Sequence, residues 1–148
     1  MEKEIDEQQI SKQHDAKIFS EGQAIFSRDD LRELINIIYS EYQYKGTQFD
    51  RLGNLINYLG LENNKFLVTE LADQSDRLIA YLTNFGDFLK LNFHRGNPSE
   101  DGEPLYLFLA QGTSFETEAF LTEFQMLSME AEKAYRDYCA AVKSKLLI

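Results

Sequence analysis

Cysteine is almost missing from this 148-residue chain, with Cys139 its only representative. A single thiol excludes an intramolecular disulfide and a cysteine-built zinc site, and it fits a reducing compartment. Tryptophan is absent, and proline occurs only at Pro98 and Pro104. So few prolines leave most of the chain free to be helical. No apolar run approaches the roughly 18 residues that suggest a membrane span. The start, Met1-Glu2-Lys3-Glu4-Ile5-Asp6-Glu7, lacks the basic segment and apolar stretch of a signal peptide. A cytoplasmic protein without a membrane segment is expected. Positive charge is scarce too: 15 Lys and Arg stand against 25 Asp and Glu, giving a net charge of −10. Each third of the chain is net negative, which disfavours direct binding to DNA, RNA or anionic lipid.

Large apolar groups are plentiful, with 11 Phe and 8 Tyr in a chain that is 43% hydrophobic. That supply offsets chain entropy and supports one domain over residues 1–148. Residues 1–20 carry few apolar positions, Ile5, Ile10, Ala16, Ile18 and Phe19, and read as a loosely docked N-terminal helix.

Helix signals then follow closely. Ser27 caps a helix whose first turn holds Asp29 and Asp30, with Phe26 stapled onto Leu31. Leu31, Leu34, Ile35, Ile38, Tyr39 and Tyr42 form a stripe that Gly46 is expected to end. Thr47 is the next expected cap, and Phe49, Leu52, Leu55, Ile56 and Leu59 carry a shorter stripe to Gly60. Together these make a helical hairpin. A long helix is expected from Asn63 or Asn64 to about residue 94, weakened at Gly86 by about 1 kcal/mol relative to Ala. The segment from Arg95 to Pro104 holds both prolines and two glycines and reads as a loop.

The run Leu105-Tyr106-Leu107-Phe108-Leu109-Ala110 suits a helical turn or a strand. With no second strand evident to pair with it, helix is favoured. Thr113-Ser114-Phe115-Glu116 has a capping-box pattern, and a helix can continue to Leu146. At about 1.5 Å per residue that helix is roughly 45 Å long, more than the short helices can cover. The expected fold is all-α: a single-domain bundle of five or six helices with two long antiparallel ones.

Chemistry finds little support. The residues three before His14 and His94 are Ser11 and Leu91, so the Glu-x-x-His step of di-iron bundles is missing. No Gly-x-Ser-x-Gly, phosphate-binding glycine loop or dinucleotide fingerprint occurs. Cys139 lies among apolar neighbours and reads as a packed thiol. Carboxylates at i, i+3 spacing are the one enzymatic signal: Asp30 with Glu33, and Glu70 with Asp73 and, a turn on, Asp76. This pattern resembles the paired acidic steps with which all-α nucleotide pyrophosphohydrolases hold Mg²⁺. The resemblance is confined to those steps, and here the first begins with Asp. Glu70, Asp73 and Asp76 are the metal candidates; no catalytic residue and no cofactor are assigned.

The favoured expectation is a non-enzymatic module (adaptor, inhibitor, immunity or chaperone-like subunit) that binds another protein through helix faces. That partner would be basic or nucleic-acid-binding, steered by acidic faces and gripped by tyrosines. Candidate contact residues are Asp29, Asp30, Glu33, Tyr39, Tyr42, Glu116, Glu118, Glu123, Tyr135 and Tyr138. The alternatives are a Mg²⁺-dependent, pyrophosphohydrolase-like enzyme and a structural homodimer formed through the last helix.

Overall fold

The computed structural model describes residues 2–95, 106–109 and 114–148. These are mostly helical, with one small sheet. In chain order the elements are α1 (Glu2–Ile25), α2 (Arg28–Glu41), β1 (Gln43–Lys45), α3 (Gly46–Gly60) and a 3₁₀ turn (Glu62–Asn64). Then come α4 (Thr69–Asn92), β2 (Phe93–Arg95), β3 (Tyr106–Leu109) and α5 (Ser114–Leu146).

Local chemistry explains the start of α2. Ser27 Oγ accepts from Asp30 N at 3.1 Å, and Asp30 Oδ2 accepts from Ser27 N at 2.8 Å, closing a reciprocal capping box. The stripe on α2 buries Leu31, Leu34 and Ile38. Its end corrects the sequence expectation. Tyr42 adopts a left-handed φ of 54° and donates to Ile38 O at 2.9 Å, so α2 stops before Gly46 and residues 43–45 extend into β1. Gly46 opens α3 instead of closing α2, and Lys45 rather than Thr47 is the N-cap residue. Lys45 N donates to Gln48 Oε1 at 2.9 Å.

The sheet is a second correction. Residues 106–109 are a strand, β3, lying between β1 and β2 and antiparallel to both. Tyr44 pairs with Leu107, and His94 with Phe108. Both partners are three-residue strands attached to helices, too short to show the period-two pattern by which strands are recognised. Leu105, Ala110, the two prolines and Thr113 lie outside the described residues.

The long helix expected from residue 63 or 64 begins only at Thr69. Ahead of it, Lys65 and Val68 have extended backbones. Asp15, buried on α1, supplies the reason: its Oδ1 accepts from Leu67 N at 2.8 Å and its Oδ2 from Val68 N at 3.0 Å. His14 Nε2 donates to Lys65 O at 2.9 Å beside it. A carboxylate from another helix thus satisfies the amides preceding α4, where negative charge is favourable. From Thr69, α4 continues through the buried Gly86 to Asn92.

The core runs between α4 and α5. Glu70 at the start of α4 meets Lys145 near the end of α5 at 2.8 Å, and Arg77 meets Asp137 at 2.9 Å. Further along, Phe88 stacks on Phe120 with ring centroids 5.2 Å apart. Phe120 continues to Phe124 and Phe93, and Phe93 to Tyr44, so an aromatic chain ties α5 to the sheet. Toward the other end, Phe19, Phe66 and Tyr135 pack around Tyr138. Residues 7–10 of α1 are exposed, whereas Asp15 and Ile18 are buried. Helix α1 passes α3 so closely that a Cβ added to Gly22 would stand 3.3 Å from Leu55 Cδ1.

Candidate functional site

The structure separates the expected contact residues into three groups. Tyr135 and Tyr138 are 0% and 1% exposed, which corrects the expectation that they face a partner. Tyr135 Oη donates to Phe26 O and accepts from Gln23 Nε2, and burial pushes both phenols well above their ordinary value. Asp30 is held in the cap of α2 and by Arg51, 2.7 Å away, so its carboxylate serves the fold. In contrast, Asp29, Glu33, Glu118 and Glu123 are exposed, and none joins an ion pair among the described residues. The side chain of Glu116 lies outside the described part. Tyr39 and Tyr42 are exposed, with Tyr39 at 52% and its ring 6.2 Å from that of Phe124.

Around Tyr39, α2 meets α5 in an outward-facing seam. Elsewhere on α5, Met126 and Met129 are 53% and 67% exposed. A groove beside them is lined by Met129, Glu130, Glu132, Lys133 and Arg136. Glu132 takes Arg28 at 3.2 Å and Arg32 at 2.8 Å. Basic residues spaced along the sequence are therefore gathered here, where Arg28, Arg32, Lys133 and Arg136 surround or adjoin one carboxylate. The two methionines were missed as contact residues. Their signal was positional: they fall off the stripe through Phe120, Phe124, Ala131 and Tyr135, yet remain large and apolar.

The carboxylates proposed for a metal do not converge. Glu70 is bound to Lys145, and Asp73 and Asp76 are exposed on α4. Among the described residues no group of three or more His, Cys, Asp or Glu side chains is placed to hold a metal ion. No described helix is long and apolar enough to cross a membrane. Cys139 is partly buried against the core, and desolvation pushes its thiol pKa up, opposite to what an activated nucleophile needs.

A second concave region lies where α3, α4 and the sheet meet. Tyr44, Phe49, Asp50, Lys90, Phe93, His94 and Leu107 border a cavity of about 370 Å³ with Gly46 at its edge. Phe49 and Lys90 also border a smaller cleft of about 210 Å³ that continues between α3 and α4. Lys90 Nζ sits 5.9 Å from the Phe49 ring centroid and forms no ion pair among the described residues. Sequence reading could not assemble this site, because its walls come from segments that the sheet draws together. No protein-family model, curated protein or solved structure matches this chain.

Proposed function

We propose that the chain is a non-enzymatic protein-binding module: one helical domain in which antiparallel α4 and α5 form the spine and the outer α2–α5 seam docks a partner. The observation that carries this reading is that Met129, 67% exposed, borders a groove on α5 with Glu130, Glu132, Lys133 and Arg136, where Glu132 also bonds Arg28 and Arg32 of α2. Single exposed apolar residues are ordinary, but one that borders a groove with Lys133 and Arg136, beside the Glu132–Arg32 pair, has the composition of an interface. Tyrosine offers a large rigid contact, and methionine adapts to the surface it meets. The exposed, unpaired carboxylates of Asp29, Glu33, Glu118 and Glu123 would steer a basic partner toward the module.

Capture of a partner from the native source by the wild-type protein, followed by titration of that partner against variants, tests this. Met129→Glu and Tyr39→Ser are expected to weaken binding at least tenfold while leaving the melting temperature within a few degrees. Neutralising Asp29 and Glu33 is expected to slow association and flatten its salt dependence. Equal affinity for wild type, Met129→Glu and Tyr39→Ser would remove the seam from consideration. Concentration-dependent dimerisation abolished by Met129→Glu would identify a second copy as the occupant.

A further inference from the structure

The cavity between α3, α4 and the sheet plays no part in that docking reading, and Tyr44, which borders it, carries a hydroxyl without a hydrogen-bond partner among the described residues. Tyr44 is fully buried. Its ring packs edge-on against Phe93, with centroids 4.9 Å apart, and beside Phe49 at 6.2 Å. Phenylalanine would make the same ring contacts without burying an unpaired hydroxyl, which is costly. Lys90, which also borders the cavity, forms no ion pair among the described residues, and its Nζ sits 5.9 Å from the Phe49 ring centroid. A wall of aromatic rings, a buried donor and an uncommitted cation within about 370 Å³ form the usual composition of a small-molecule pocket.

We propose that this cavity binds a small aromatic carboxylate, its ring against Phe49, Phe93 and Leu107 and its carboxylate bonded by Tyr44 Oη and Lys90 Nζ. Charge-assisted hydrogen bonds from a phenol and an ammonium would satisfy the orphaned hydroxyl and the free lysine together. Asp50 at the edge of the cavity and Asp87 in the adjoining cleft oppose additional negative charge, which favours a monoanion over a phosphate. Burial keeps the Tyr44 phenol protonated beyond its ordinary range, so it remains a donor at neutral pH.

The probe is 2-naphthoate, titrated into the full chain by calorimetry and by NMR shift mapping, with neutral 2-naphthamide alongside. The expected result is saturable binding with shifts centred on Tyr44, Phe49, Lys90 and Phe93. Lys90→Gln and Tyr44→Phe should each weaken it tenfold or more, and the amide should bind at least tenfold more weakly than the acid. Tyr44→Phe should melt no lower than wild type, which separates loss of a ligand bond from loss of the fold. Absence of saturable binding, shifts centred on the α2–α5 seam, or unchanged affinity in both variants would overturn the proposal. So would a Tyr44→Phe protein that melts well below wild type, because the hydroxyl would then have a structural partner. None of these results bears on the docking seam, whose residues lie elsewhere.

Discussion

Tyr135 Oη donates a 2.6 Å hydrogen bond to the carbonyl of Phe26, joining the middle of α5 to the turn between α1 and α2 across 109 positions of sequence. The same oxygen accepts from Gln23 Nε2 at 2.9 Å, so one buried phenol fixes how α1 hands over to α2. Its neighbour in chemistry, Tyr44, is equally buried yet unpaired among the described residues. The contrast yields the first prediction.

Tyr135→Phe leaves the Phe26 carbonyl facing a ring and is expected to cost about 1–3 kcal/mol, the penalty for a buried polar group stripped of its partner. Urea denaturation of Tyr135→Phe and Tyr44→Phe in parallel checks this. Tyr135→Phe should unfold at clearly lower urea, and Tyr44→Phe at the same or higher urea. The reverse ranking would show that the two hydroxyls have been assigned the wrong roles.

Asp15 carries the second prediction. Replacement by Ala frees two part-buried amides, Leu67 N and Val68 N, that bond the fully buried Asp15 carboxylate. The expected loss is about 3 kcal/mol, and Asp15→Asn, with one acceptor oxygen instead of two, should fall between. Hydrogen exchange locates the effect: the amides of residues 67 and 68 should lose protection first. Uniform loss across all elements, with those two amides no worse than the rest, would contradict a local cap.

Alkaline pH supplies the third. Burial raises the pKa of Tyr44, Tyr135 and Tyr138 above the ordinary phenol value of 10.0, and that of the Cys139 thiol above 9.0. A group that keeps its proton longer when folded contributes stability that is intact below the unfolded pKa and declines above it. Stability should therefore begin to fall from about pH 9, where Cys139 starts to titrate in the unfolded chain, and more steeply beyond pH 10, where tyrosines follow. The buried rings of Tyr44, Tyr135 and Tyr138 should add their absorbance at 295 nm only on unfolding. One step near pH 10 with helicity intact would refute the burial argument.

What the sequence made legible was what is local. The capping box at Ser27 and Asp30 spans three residues, and the Leu31, Leu34 and Ile38 stripe spans two turns. Both depend on backbone periods that any reader of the sequence can apply. The sheet was illegible for the opposite reason. Tyr44 and Leu107 are partners at a separation of 63 positions, and neither β1 nor β2 is long enough to announce itself. Asp15 likewise acts on Leu67 and Val68, about 50 positions away, so its type and local pattern carry no hint of the contact. Tyr135 and Tyr138 were readable in principle. They continue a stripe through Ala131, Ala134 and Val142, and that register outweighs the preference of tyrosine for boundaries. The cavity draws its walls from β1, α3, α4, β2 and β3, segments that no local pattern joins.

Helix α5 contributes Phe120, Phe124, Ala131, Ala134, Tyr135, Tyr138, Val142 and Leu146 to the core, and it starts only at Ser114. A ribosome making this protein must therefore pass α2, α3 and α4 before the surface against which α2 and α4 close exists. During that interval Leu34, Leu78, Phe85 and Phe88, all destined for burial, stay open to whatever binds apolar surface on an unfinished chain. Closure of these faces is thereby deferred until α5 has been made, and a chain cut short within α5 would have its apolar faces but nothing to close them.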